Sequence, residues 1–152
     1  MPEETFSAIA AFLNEIGIPV ELGEIQEETF LPGIHAISGI LRVDPAKLQW
    51  PGDLLHEAGH LALLTPEQRR HTEGNVGDDG GDEMGAIAWS YAAAVHLKLD
   101  PAVVFHSGGY HGGGDSILAN FTTGQYMGVP ILAWRGLCLP ASYPHMTRWL
   151  RA

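Results

Sequence analysis

From Pro51 to Pro66 the chain reads PGDLLHEAGHLALLTP. Asp53 stands where a helix cap belongs, and Leu55, Leu61, Leu63 and Leu64 need burial, so the stretch predicts a helix running to about Leu64. Such a helix has to carry His56, Glu57 and His60 with it. Residues four apart on an α-helix lie about 40° apart around the axis and about 6 Å along it. His56 and His60 can therefore aim their imidazoles at one ion. Glu57, three residues before His60, shares that side and can hold a water on the ion.

This donor set suits Zn2+, which lowers the pKa of its water toward about 7 while a carboxylate takes the proton. The plainer alternative is two ordinary histidines on a helix, and the well-capped apolar setting argues against it. A catalytic zinc takes three protein ligands and keeps one position open. Glu83 is the first choice for the third, at the start of the next strong helix, predicted from Glu83 to about Leu97. Ala86, Ser90, Ala93 and Ala94 are small, as are Ala58 and Gly59, so the two helices can approach closely. A first-turn carboxylate also serves the helix dipole, so Asp82 stays open as third ligand, followed by His71, Asp78 and Asp79 in the glycine-rich loop between.

At 152 residues the sequence suits one domain, 1–152, with 45% hydrophobic residues to build a core. The net charge of −10 argues against nucleic acid or an anionic membrane as partner. No apolar run approaches the roughly 20 residues of a membrane helix. The one cysteine, Cys138, fits a reducing compartment and reads as a buried small hydrophobe. Glu3 and Glu4 stand where a secretory signal would carry basic residues, and the expectation is a cytoplasmic protein.

The order of elements predicts an α+β fold. A helix over Pro2–Ile16 presents Phe6, Ile9, Leu13 and Ile16 and ends at Gly17. Strands follow at Ile18–Leu22 and within FLPGIHAISGILRVD, where Ile40–Val43 is clearest and Gly33 and Gly39 mark turns or bulges. Beyond the two central helices, Asp100-Pro101 opens a short helix and Asp115 is placed to cap SILANFTT. VPILAW reads as a buried strand or loop, and YPHMTRWLRA as a final short helix.

HEAGH followed by DEMGAIAWSYAAAVHL resembles the gluzincin arrangement of zinc metallopeptidases. The lead-in GILRVDPAKLQWPGDLLHEAGH resembles the small ImmA/IrrE-type metallopeptidase-like domains, and the likeness covers roughly Ile34 to Leu97. It implies a compact zincin-like domain with a small β-sheet, a helix bearing the motif and a following helix bearing the third ligand. Residue by residue, it implies His56, His60 and Glu83 as zinc ligands and Glu57 as general base, acting on a peptide or protein substrate. It also implies a peptide added to a sheet edge, for which Ile40–Val43 is the candidate. Two features depart from the pattern. Larger gluzincins carry an aspartate four residues after the ligand glutamate to orient a histidine, and Ile87 stands there. The part from Asp100 onward has no counterpart.

Peptide hydrolysis also needs a donor to the developing oxyanion. FHSGGYHGGGD offers Tyr110 and His111 as candidates, beside a plain structural reading of the loop. His35, His96 and His145 read as packing or surface residues, and Trp89 and Tyr91 as core. A zinc metallopeptidase leads; the alternative is a zinc-binding regulatory or interaction domain with little turnover. The glutamate favours the enzyme, because a structural zinc needs no base. A metal-dependent phosphohydrolase would want an adjacent His-Asp pair or an acidic ligand cluster, and neither is present.

Overall fold

Helix α1 (Glu3–Ile16) forms along its apolar stripe, with Ile9 and Leu13 fully buried. Gly17 closes it. The Ile18 N–H reaches the Leu13 carbonyl at 2.8 Å and the Gly17 N–H reaches that of Asn14 at 3.3 Å, a Schellman closure. The computed structural model describes residues 3–74 and 80–152, apart from the side chain of His111.

Four short strands follow: β1 (Val20–Leu22), β2 (Ile34–Ile37), β3 (Ile40–Val43) and β4 (Glu73–Gly74), in the order β1-β3-β2-β4. The β2–β3 hairpin turns on Ser38 and Gly39 at φ 53° and 80°, the pair of positive values that a two-residue type I′ turn requires. The opposed pairs Ile34–Val43 and Ala36–Leu41 are buried, while Arg42, opposite His35, is exposed. This order corrects one expectation. β1 lies parallel along one side of β3 and β2 antiparallel along the other, so Ile40–Val43 has no free edge for a peptide.

Every residue of α2 (Asp53–Leu63) is buried. Its N-cap is Gly52, not Asp53, whose carboxylate is committed to His106. Thr65 then opens α3 (Pro66–Arg70) with a capping box: its hydroxyl accepts the Gln68 N–H at 3.2 Å, and the Gln68 side chain accepts the Thr65 N–H at 2.9 Å. The last carbonyls of α2 are met by two arginines. The Arg151 N–H donates to Ala62 at 3.0 Å and its guanidinium to Leu63 at 3.2 Å, while Arg69 donates to Leu64 at 2.7 Å.

α2 packs most extensively on α4 (Gly80–His96). Gly59 sets their separation, because a Cβ there would lie 2.9 Å from the Ala86 carbonyl oxygen and 3.1 Å from the Ala86 Cα. Backbone cannot swing aside as a side chain can. Gly59→Ala is therefore expected to destabilise the fold by about 1–3 kcal/mol, read as a lower urea midpoint with an unchanged m-value.

The C-terminal part holds single 3₁₀ turns at Pro101–Val103 and Tyr110–Gly112, then α5 (Gly114–Thr122) and α6 (Val129–Trp134). Three expectations are corrected here. VPILAW is helical; an unalternating apolar run fits helix or strand, and Pro130 near its start suits a first helical turn. Asp115 lies in the first turn of α5 and its side chain caps nothing. YPHMTRWLRA is not a helix, because its backbone bonds elsewhere: the Thr147 and Arg148 N–H groups go to Leu137, and the Trp149 carbonyl accepts the Trp89 indole N–H at 2.9 Å. One hydrophobic core draws on residues from Ile9 to Met146, Trp89 and Tyr91 among them, and Cys138 is buried within it. No described helix is long and apolar enough to cross a membrane.

Candidate metal centre

The Nε2 atoms of His56 and His60 converge on one carboxylate. His56 lies 3.0 Å from Oε1 of Glu83 and His60 lies 2.9 Å from Oε2. The imidazoles stand nearly perpendicular, with centroids 5.0 Å apart. The three candidate ligand atoms all lie within 4.8 Å of one another, the one such group of three or more His, Cys, Asp or Glu side chains among the described residues. Ligand atoms around a tetrahedral zinc stand roughly 3.3 Å apart, given metal–ligand distances near 2.0–2.1 Å. The two imidazole–carboxylate pairs need only a few tenths of an ångström of opening to reach that spacing.

Electrostatics agree with that use. Burial pushes the Glu83 carboxyl up, but hydrogen bonds from His56 and His60 outweigh it and hold the group well below the usual carboxylate range. Glu83 is thus an anion facing two imidazoles. Glu57 stays out of this arrangement: it is only 7% exposed and makes no hydrogen bond through its carboxylate among the described residues. Burial pushes its pKa up, opposed by His60 and His56. That direction moves a carboxylate toward the range where a general base both takes and returns protons.

Tyr110 reaches the site from the far side of His56. Its hydroxyl lies 3.2 Å from Nδ1, the nitrogen turned away from Glu83, and its ring meets the imidazole edge-on at 5.4 Å. The residue holds a left-handed backbone (φ 57°), a strained state for a non-glycine residue. Burial, together with the charges of Asp53 and Glu83, pushes the phenol far above its ordinary pKa, so the hydroxyl keeps its proton. By contrast, His60 Nδ1 is buried without a hydrogen-bond partner among the described residues.

Sequence reasoning missed a second buried pair beside the centre. His106 Nε2 lies 2.6 Å from the Asp53 carboxylate, both groups buried. Nδ1 of His106 accepts the Gly108 N–H at 3.2 Å, so Nε2 carries the proton and donates to Asp53. Trp50 stacks on the same imidazole at 4.2 Å. The pair ties the segment carrying Tyr110 to the first turn of α2.

The other third-ligand candidates are placed elsewhere or not described. Asp82 accepts from the Arg135 guanidinium at 3.2 Å, and His71 is exposed at the end of α3. Asp78 and Asp79 lie outside the described residues, as does the side chain of His111. His96 and His145 are exposed and His35 is half-buried. Comparison with protein-family models, with curated proteins and with solved structures finds no match.

Proposed function

We propose that this chain is a zinc-dependent metallopeptidase of the gluzincin type, with His56, His60 and Glu83 as the ligands. One observation carries the reading: both imidazole Nε2 atoms meet Glu83 while the adjacent buried Glu57 is left free of that cluster. A site that only stored an ion would have no use for an unpaired carboxylate, since burying one costs stability. The order of hairpin, motif helix and close-packed second helix supports a zincin-like architecture. The single buried Cys138 supports a cytoplasmic setting.

Zinc held by His56, His60 and Glu83 would supply Lewis-acid chemistry to water and to a peptide carbonyl. Glu57 takes a proton from the attacking water as the new C–O bond forms. The same carboxyl then returns a proton to the leaving amine as the C–N bond breaks, so it ends the cycle unchanged. Tyr110 serves as a positioning residue: its hydroxyl lies 3.2 Å from His56 Nδ1 and would accept the Nδ1–H of an imidazole whose Nε2 serves as ligand, fixing the ring orientation. This is the task for which larger gluzincins use the aspartate that Ile87 replaces.

The test is Tyr110→Phe. Zinc affinity, measured by competition with a chelator, is expected to fall about 10–100-fold, as loss of such an outer partner does. Unchanged affinity with a rate lowered by about 10²–10³ would return Tyr110 to the oxyanion role expected from sequence.

A further inference from the structure

Glu57 belongs to the helix bearing both histidines and also to the wall of an adjoining cleft. That cleft has a volume of about 250 Å³ and is lined by Glu28, Phe30, Leu31, Ile34, His35 and Glu57, among others. Pockets that hold whole small molecules span roughly 300–1,000 Å³, so this one is sized for a single side chain. One wall is braced locally: the Thr29 hydroxyl donates to the Leu31 carbonyl at 2.6 Å, and Leu31 bridges to Ile34. A carboxylate more than nine-tenths buried, without a hydrogen-bond partner among the described residues, lines it. The cleft thus adjoins the carboxylate proposed as general base, where a substrate side chain beside the scissile bond would lie.

The lining specifies what enters. Leu31 and Ile34 offer an apolar wall, and Phe30, on the lining, is 78% exposed, an aromatic face left to solvent. Glu28 is exposed and makes no hydrogen bond or ion pair among the described residues. His35, the remaining titratable group named here, interacts with the charge of Glu27. An apolar wall, an open aromatic face and a free carboxylate together match a long aliphatic stem ending in a cation. The net charge of −10 draws such ligands in.

We infer that the cleft beside Glu57 is a specificity pocket for an arginine or lysine side chain of a peptide substrate, read by Glu28 and Phe30. This rests on the peptidase reading, and the experiment separates the two. Zinc-loaded protein is given matched peptides with arginine, lysine, norleucine or glutamate on either side of the scissile bond, and both cleavage and equilibrium binding are followed. Arginine or lysine is expected to exceed norleucine about five- to tenfold in kcat/KM, the size of one exposed charge pair with one cation–π contact. Glu28→Gln and Phe30→Leu, both at exposed positions, are each expected to shrink that ratio about two- to fivefold with zinc content unchanged. Cleavage with no cationic preference, or with a preference that survives both substitutions, overturns the pocket and leaves the peptidase standing. Selective binding that depends on Glu28 without any cleavage upholds the pocket and overturns the peptidase. Neither selective binding nor cleavage overturns both.

Discussion

Glu57→Gln is expected to bind zinc as tightly as the wild type and to lose at least about 10²–10⁴ in peptide hydrolysis. The two halves of that result have separate origins. Zinc is retained because both Nε2 atoms face Glu83, and Glu57 contributes no ligand atom to the cluster. Hydrolysis is lost because glutamine keeps the shape of the side chain but cannot accept the proton of the attacking water. The substitution also replaces a buried carboxylate by a neutral amide, so the fold is not expected to suffer. The measurement is zinc per chain beside kcat on one cleaved peptide. A glutamine variant cutting at the wild-type rate would remove Glu57 from the mechanism. Full zinc in a wild-type chain that cleaves no peptide would favour the regulatory-domain alternative.

Alanine at His56, His60 or Glu83 is expected to weaken zinc by more than about 100-fold, beyond what losing an outer-shell partner costs. Glu83→Ala is the most telling of the three. Asp82 is held by Arg135 and His71 lies exposed at the end of α3, so no described neighbour stands ready to replace it. It also strips two buried imidazoles of their shared anion. Chelator competition on the folded variants gives the affinity directly. Stoichiometric, wild-type-strength zinc in Glu83→Ala would dissolve the proposed ligand set.

The clustering of His56, His60 and Glu83 was legible because helical spacing converts directly into direction. A four-residue interval puts His56 and His60 on one side, and the small residues Gly59 and Ala86 show where a second helix comes close. What the spacing could not disclose was the surrounding support. Tyr110 meets His56 across 54 positions and His106 meets Asp53 across 53, and no local periodicity encodes a contact of that range. Asp53 even carried a misleading local signal, since an aspartate ahead of an apolar helix also reads as a cap. The absent aspartate at Ile87 has the same lesson. In the proposed reading, a task done locally in one arrangement falls to Tyr110, whose hydroxyl reaches His56 from a distant 3₁₀ turn. VPILAW and the last ten residues failed for a different reason, as pattern alone cannot separate short apolar helices from strands or foresee backbone groups claimed by tertiary partners.

The arginines at the end of α2 have a consequence in time. Leu63 receives its partner from Arg151, 88 positions later. At about 5–20 residues per second of synthesis, roughly 4–18 seconds separate the emergence of the two. Throughout that interval the helix bearing both histidines has been made while its Ala62 and Leu63 carbonyls still lack the partners that Arg151 brings. The first turns of this helix are thus set by local sequence while its last turn waits on the far end of the chain, so the helix reaches its full length only once synthesis is nearly done.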